Sequence, residues 1–253
     1  MDAKRIIPCL DIYEGKIVKG VNFINIVEVG DPVALGKYYN SQGADELACL
    51  NISATPQGKK KFKTLVKELV NELTIPLIVG GGVYTIDDAN KFFDLGVDKI
   101  SINSAALVNP LLIDKVSKLG TKSLIIAIDA SFKDGRWCVF SNGGKENSGR
   151  ELIEWTKEAA SRGANEILFT SIDRDGTGKG YQLDALKQLK SFLKIPLIAS
   201  GGAGSKEHFA ELFLEECADA ALAAGVFHKD EIDIKELKDY LISCGIPIIN
   251  NEI

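Results

Sequence analysis

The two halves of the chain carry the same landmarks in the same order. Residues 75–82 return as residues 195–202, and residues 43–47 return as residues 163–167, both at an offset of 120 positions. Two further pairs keep this order at nearly the same offset: Leu10-Asp11 with Ile128-Asp129, and residues 97–99 with residues 218–220. Solenoid repeats are roughly 20–50 residues long, so a period of this length excludes a solenoid. It indicates that one half of a single domain was duplicated.

Each half predicts four units in which a β-strand is followed by an α-helix. The predicted strands are short apolar runs at residues 5–11, 46–51, 76–80, 99–103, 123–129, 166–171, 196–200 and 219–224. Residues 60–73 show the clearest helical period of apolar side chains. Strands that alternate with helices form parallel sheets with right-handed crossovers. Eight such units in 253 residues predict a single-domain (β/α)8 TIM barrel, an α/β fold whose half-barrels span about residues 1–120 and 121–253.

The composition fits a soluble globular protein and excludes several other classes. Hydrophobic residues make up 45% and charged residues 26% of the chain, which are ordinary values for a globular domain. The net charge of −5 and a single short basic run, residues 59–61, argue against a nucleic-acid-binding surface. No apolar run approaches the roughly 18 residues of a membrane span, and the first residues do not resemble a signal peptide. We therefore expect a cytoplasmic protein without membrane association.

The cysteines and histidines predict neither a disulfide framework nor a metal site. Five scattered cysteines include no C-x-x-C pair, and two histidines are too few for a zinc-binding pattern. Reduced thiols of this kind are typical of cytosolic proteins. We expect no metal and no cofactor.

Two aspartates are the first candidates for catalysis. Side chains alternate along a strand, so Asp11 and Asp129 share the inward face of strands 1 and 5 and lie opposite each other at the C-terminal ends. TIM-barrel enzymes carry their chemistry at that end. Two carboxylates that face each other across the mouth suit general acid–base catalysis. The alternative is that each carboxylate only caps the loop that follows its strand.

Paired glycines predict two phosphate-binding turns. Gly81-Gly82 and Gly201-Gly202 each follow an apolar strand and precede a helix that begins with a capping residue, Thr85 or Ser205. Backbone amides in such a turn, with the helix dipole behind them, attract a phosphate. A tight turn without a ligand is the alternative. The neighbouring strands end in Asn103-Ser104 and Ala224-Gly225. Each half therefore predicts one pocket, and a substrate with a phosphate at each end fits both.

Two long segments at the same end of the barrel are predicted to be loops that act as lids. Residues 173–181 are rich in glycine but lack the G-K-[ST] ending of a P-loop. Residues 13–30 contain Lys19, which we expect to bind a substrate phosphate or carbonyl group unless it is an ordinary solvated lysine.

Four charged residues are predicted to point inward at the opposite end of the barrel. They are Arg5, Glu46, Lys99 and Glu166, at the starts of strands 1, 2, 4 and 6. Buried charges without partners are costly, so these two bases and two acids are expected to pair. Taken alone, the residues favour a structural plug over a gate through which something small enters the barrel.

Seven motifs together resemble one family along almost the whole chain. They lie at residues 5–11, 19–23, 43–47, 101–106, 171–177, 198–204 and 226–228. The chain is similar to the cyclase subunit of imidazole glycerol phosphate synthase, the HisF family. The sister isomerase of histidine biosynthesis shares the duplicated barrel and the aspartate pair, but its first strand differs from residues 8–11 here.

The resemblance implies a reaction and a partner. Ammonia from a glutaminase subunit of the HisH type, docked at the N-terminal face of the barrel, would react with phosphoribulosyl-formimino-AICAR ribonucleotide, abbreviated PRFAR. Cleavage and ring closure would yield imidazole glycerol phosphate and AICAR. The substrate carries a phosphate at each end, as the two glycine turns predict.

The resemblance also implies the role of each site residue. Asp11 and Asp129 match the acid–base pair, although it does not say which is the acid. One phosphate site matches Gly81, Gly82, Asn103 and Ser104, and the other matches Asp175, Gly176, Gly201, Gly202, Ala224 and Gly225. Arg5, Glu46, Lys99 and Glu166 match an ammonia gate, which replaces the interpretation of these residues as a plug.

Two departures from the family pattern leave other functions open. Asn51 stands where an Asp is common, and Gly225 stands where a Ser often precedes the Val-Phe-His motif. One alternative is a HisF-like paralogue that passes ammonia to another synthetase in surface-polysaccharide biosynthesis. Another is a non-catalytic scaffold that activates a glutaminase. The retained aspartates and glycine turns favour the cyclase.

Overall fold

A closed ring of eight parallel strands forms the centre of the molecule. The computed structural model describes residues 3–21, 24–53, 55–120 and 123–249, and for residues 19–21 and 24–29 it describes the backbone alone. In chain order the strands are β1 (Arg5–Tyr13), β2 (Lys16–Val21), β3 (Ile24–Gly30), β4 (Leu47–Asn51), β5 (Leu77–Gly80), β6 (Lys99–Ile102), β7 (Ser123–Lys133), β8 (Arg136–Ser141), β9 (Glu146–Glu151), β10 (Glu166–Ser171), β11 (Leu197–Ser200) and β12 (Ala220–Ala223). The ring runs β1-β4-β5-β6-β7-β10-β11-β12 and closes where β12 pairs with β1. The predicted (β/α)8 barrel is confirmed.

Helices cover the outside of this ring. They are α1 (Pro32–Ser41), α2 (Pro56–Glu72), α3 (Ile86–Phe93), α4 (Ser104–Val108), α5 (Leu111–Ser117), α6 (Leu152–Ser161), α7 (Leu183–Lys190), α8 (Lys206–Leu214), α9 (Gly225–His228) and α10 (Ile234–Ser243). The helix predicted at residues 60–73 is α2, which starts earlier because Thr55 caps it and Pro56 occupies its first turn. Within the described ranges, none of the helices is both long and apolar enough to cross a bilayer.

The barrel has two separate apolar cores. Outward-facing strand residues pack against the helices in the larger core, and inward-facing residues form a small inner cluster. Ile7 and Cys9 of β1, Ile125 of β7 and Leu168 of β10 belong to the inner cluster. This arrangement confirms the inward faces predicted for barrel strands 1, 5 and 6. Because both faces of each strand are buried, the strands read as continuous apolar runs.

A hydrogen bond repeated four times joins the strands in pairs at the N-terminal end of the barrel. An Asp or Asn that precedes every second barrel strand accepts from a backbone N–H of the strand before it. The four bonds are Ile6 N to Asp45 Oδ2 at 2.7 Å, Leu77 N to Asp98 Oδ2 at 2.9 Å, Leu124 N to Asn165 Oδ1 at 2.8 Å and Leu197 N to Asp219 Oδ2 at 2.8 Å. The structural repeat is therefore one pair of strands, a quarter of the barrel, and not only one half. It also places the next residue, such as Glu46 or Lys99, inside the barrel.

The prediction of a loop at residues 13–30 is wrong. The strand β1 continues to Tyr13, and β2 and β3 form an antiparallel ribbon on it. Glu14 and Gly15 have φ of 51° and 84°, which are the values of a type I′ hairpin turn. Asp134 and Gly135, 120 positions later, have φ of 51° and 77° and join β7 to β8. Each half therefore extends its first strand past the C-terminal end of the barrel as a hairpin.

Candidate active site

Asp11 and Asp129 lie on opposite sides of the barrel mouth. Their strands, β1 and β7, are four positions apart in either direction around the ring of eight. Burial, reinforced by the nearby charge of Asp175, raises the pKa of Asp11 to about 7 and the pKa of Asp129 to about 6. For Asp129, hydrogen bonds from Asn103 and Thr170 oppose this rise, and Asn103 Nδ2 lies 3.0 Å from the carboxylate. Both groups can therefore exchange protons near neutral pH.

Asp175 is a third carboxylate at the same place. It lies in the loop after β10, and burial also raises its pKa, although the backbone N–H of Gly176 favours the charged form. Asp173 holds this loop in position, because its carboxylate accepts from Ser131 Oγ at 2.6 Å and from Phe132 N at 2.8 Å. Sequence reasoning placed Asp175 only beside a phosphate. The structure brings it electrostatically close to both Asp11 and Asp129.

We expect Asp175→Asn to move the pH–rate profile to lower pH. Removing this negative charge lowers the pKa of Asp11 and of Asp129, because both ionise more easily without a like charge nearby. Turnover at the new optimum should fall less than about tenfold, since the proton-transfer groups remain. Steady-state kinetics between pH 5.5 and 9 will measure the shift, with Asp134→Asn in the hairpin turn as a control of equal charge change. An unchanged profile would show that Asp175 is not coupled to the pair.

The first glycine turn requires glycine for steric reasons. Gly81 has φ of 79°, and a Cβ there would lie 2.0 Å from the carbonyl oxygen of Asn51. Beside this turn, β6 pairs with β5 and leads to Asn103, whose Nδ2 donates to Asp129 while its buried Oδ1 accepts no hydrogen bond from the described residues. The Ser104 hydroxyl accepts from the backbone N–H of Asn142 at 2.9 Å. The structure thus brings Gly81, Gly82, Asn103 and Ser104 to one edge of the mouth.

The second turn is built in the same way on the other side. Gly201 has φ of 85°, and a Cβ there would lie 2.7 Å from the carbonyl oxygen of Ser171, which is 120 positions after Asn51. The next strand, β12, pairs with β11 and leads to Ala224 and Gly225. Ala224 has φ −120° and ψ −67°, close to φ −119° and ψ −89° at Asn103, and each residue precedes a short helix. Duplication has therefore preserved the backbone of both candidate pockets.

Lys19 was predicted to bind substrate, and Asn51 and Gly225 are the two departures from the family pattern. The backbone of Lys19 pairs with Val27 in the hairpin, but its side chain lies outside the described residues. Asn51 Oδ1 accepts from the backbone N–H of Ser53 at 2.9 Å, so the amide keeps the local fold that a carboxylate would also support. A side chain at Gly225 would meet open space within 4 Å. Neither departure distorts the structure.

Four ion pairs close the opposite end of the barrel. Arg5 contacts Glu46 directly and lies 2.6 Å from Glu166, while Lys99 lies 2.8 Å from Glu46 and 2.5 Å from Glu166. We call Arg5, Glu46, Lys99 and Glu166 the charged ring. Burial opposes the charge of Arg5, but Glu46 and Glu166 outweigh it and raise the pKa of the guanidinium. The four predicted charges do pair with one another, directly below the inner apolar cluster.

Comparison with known proteins decides the family. Residues 5–233 match the family model described as "Histidine biosynthesis protein". The protein named imidazole glycerol phosphate synthase subunit HisF from Bacteroides thetaiotaomicron is 52% identical, over 98% of this chain and 99% of its own length. The chain belongs to the HisF family. Proteins of the same name from Exiguobacterium sibiricum and Wolinella succinogenes are each 50% identical, over 97% of this chain and 98% of their own length.

Membership in this family confirms the resemblance found in the sequence. The chain is a HisF-type subunit of imidazole glycerol phosphate synthase, a lyase of histidine biosynthesis. The word subunit in the names of its relatives indicates a complex with a second protein.

Proposed function

We propose that this subunit is the cyclase that converts PRFAR and ammonia to imidazole glycerol phosphate and AICAR. The observation that supports this most strongly is the placement of Asp11 and Asp129 between two glycine turns of the same construction. A substrate with a phosphate at each end spans the mouth from one turn to the other. Its reacting centre then lies between the two carboxylates.

Asp129 is the proposed base and Asp11 the proposed acid. Asn103 and Thr170 donate to Asp129 and stabilise its charged form, which leaves an acceptor for protons from the attacking nitrogen. Among the described residues, the hydrogen-bonding neighbour of the Asp11 carboxyl is the weakly donating thiol of Cys9, at 3.9 Å. With a pKa of about 7, Asp11 retains a proton more readily and can protonate a leaving group.

Backbone amides of the two turns are the proposed phosphate ligands. Gly81, Gly82 and Ser104 hold one end of the substrate, and Gly176, Gly201, Gly202, Ala224 and Gly225 hold the other. Asn103 and Asp175 are proposed to serve both phosphate binding and proton transfer, because each lies at a phosphate pocket and also influences the charge of Asp129. Lys19, on the hairpin, is proposed to reach a substrate phosphate or carbonyl group.

A glutaminase of the HisH type is the proposed partner, and the N-terminal face of the barrel is its proposed docking site. Ammonia would pass the charged ring and cross the inner apolar cluster to the aspartates. An uncharged molecule enters an apolar interior far more easily than an ammonium ion, so this route would keep the nitrogen unprotonated and nucleophilic. We place the reaction in the cytoplasm, where the five free cysteines would stay reduced.

Turnover of PRFAR by the isolated chain, with an ammonium salt at pH 8.5, tests the proposed function. We expect equal amounts of imidazole glycerol phosphate and AICAR, without any glutaminase. A well-folded chain that releases neither product would refute the cyclase. The paralogue that passes ammonia to a polysaccharide synthetase would then be the better account of Asn51 and Gly225.

A further inference from the structure

Asp88 and His208 occupy equivalent positions after the two glycine turns. Each is the third residue of its helix, α3 or α8, and the two are 120 positions apart, like the turns themselves. Asp88 Oδ2 accepts from the backbone N–H groups of Tyr84 and Thr85, at 3.2 and 3.1 Å. His208 Nδ1 accepts from those of Gly204 and Ser205, at 3.1 and 3.2 Å. The same two bonds are therefore made by a carboxylate in one half and by an imidazole in the other.

The imidazole makes these bonds only in its neutral form. A ring nitrogen that accepts a hydrogen bond carries no proton, so the proton of His208 must lie on Nε2. A neutral acceptor at this position adds no negative charge beside the second turn. The distinction matters there because Asp175 already places a carboxyl group next to the backbone N–H of Gly176. A second negative charge would repel a phosphate at the turn.

His208 also contacts the glycine loop after β10. A Cβ on Gly180 would lie 3.2 Å from His208 Cδ2, so the ring packs directly against this backbone. Gly180 N in turn donates to the carbonyl oxygen of Gly202 at 2.7 Å. One half-buried ring thus supports the end of the turn, the start of α8 and the loop that faces both.

We propose that His208 is a positioning residue for the second phosphate pocket. Its neutral ring holds residues 201–205 and the loop at residues 178–180 in the geometry that binds phosphate, without adding charge. The inference rests on the proposed function, because it assumes that this turn binds one phosphate of the substrate.

Three substitutions at this position separate positioning from helix capping. In His208→Asn and His208→Asp the side-chain oxygen lies as many bonds from Cβ as Nδ1 does, so both variants restore the cap. We expect His208→Asn to keep the KM for PRFAR within about threefold of wild type and His208→Asp to raise it about tenfold or more. His208→Ala should raise KM and also lower the thermal midpoint, because two backbone N–H groups lose their acceptor. Values of kcat at saturation should change much less than KM.

A neighbouring charge serves as the matched control. Glu211→Gln changes the charge of an exposed residue about one turn after His208 on α8, and its KM should stay within about twofold of wild type because water screens exposed charges. The proposal is overturned if KM for PRFAR stays at the wild-type value in His208→Ala and His208→Asp, whether the thermal midpoint falls or is unchanged. Equal KM values for the Asn and Asp variants would overturn the role of neutrality.

Inorganic phosphate keeps this test independent of turnover. Its binding, measured by isothermal titration calorimetry, should weaken in the order wild type, His208→Asn, then His208→Asp. If the wild type does not convert PRFAR but phosphate follows this order, the proposed function fails and the role of His208 stands. If turnover is normal and phosphate binding is the same in all variants, the role of His208 fails alone.

Discussion

Replacing Asp11 or Asp129 by Asn is expected to lower ammonia-dependent turnover of PRFAR by at least about 100-fold. The amide keeps the size and shape of the carboxylate but cannot carry the proton between substrate atoms. Binding should remain, because the glycine turns that hold the phosphates are untouched, so KM should stay within about threefold of wild type. Steady-state kinetics at pH 8.5 measure both quantities.

Stability provides the control for these two variants, because each substitution should raise the free energy of unfolding while it lowers activity. The folded-state pKa values, about 7 and about 6, lie above the ordinary value of 3.8. The wild-type protein therefore loses stability as pH rises from about 4 through about 7, where the buried carboxyls must ionise. An Asn variant escapes this loss and should be more stable by about 1–3 kcal/mol at pH 8, less than the full pKa shift implies because water reaches the mouth. The gain should disappear near pH 4.

Retained turnover in either Asn variant would contradict the mechanism. It would favour the non-catalytic scaffold, for which the aspartates do not matter. Lost turnover together with lost stability at pH 8 would indicate damage to the fold and would contradict the predicted rise of both pKa values.

Replacing Lys99 by Met is expected to destabilise the barrel by about 3–5 kcal/mol. Lys99 lies within 2.8 Å of Glu46 and 2.5 Å of Glu166, and the side chains of these two acids are only 5% and 7% exposed. Without Lys99, a single cation, Arg5, faces two buried carboxylates. Glu46 is the more vulnerable, since its Oε2 atom is buried and accepts no hydrogen bond from the described residues. Urea denaturation of the single variant measures the loss.

A second substitution checks that the loss comes from unbalanced charge. Lys99→Met combined with Glu46→Gln leaves one cation and one anion, Arg5 and Glu166, which lie 2.6 Å apart. We expect the double variant to recover most of the lost stability, as a double-mutant cycle will show. If the single variant costs less than about 1 kcal/mol, the charged ring is not a closed, buried network. If the double variant is less stable than the single one, the four ion pairs of the charged ring are not balanced as described.

The sequence predicted the barrel because the relevant signals are local and repeated. Each barrel strand is buried on both faces and therefore appears as an apolar run, and the offset of 120 positions confirms each run by its counterpart. The inward faces followed from parity alone. The hairpins were missed although Glu14-Gly15 and Asp134-Gly135 carried a usable turn signal at the same offset.

The finer arrangement of the site depends on contacts that no local pattern shows. Asp175 approaches both aspartates because Asp173 fixes its loop to Ser131 and Phe132, about 40 positions away in the chain. Asn103 donates a hydrogen bond to Asp129 from the neighbouring strand. The sequence could place these two strands side by side, but it could not predict how the two side chains are oriented. The role of His208 follows no sequence motif, because a neutral ring that caps a helix leaves none. Its equivalence to Asp88 is the signal that was available.

The most direct test of the account is a crystal structure of the Asp129→Asn variant with PRFAR bound. We predict one phosphate at Gly81 and Gly82, the other at Gly201, Gly202 and Gly225, and the reacting centre between positions 11 and 129. A substrate that occupies only one glycine turn, or that lies away from Asp11, would contradict the claim that the duplicated turns present a bisphosphate to the aspartate pair.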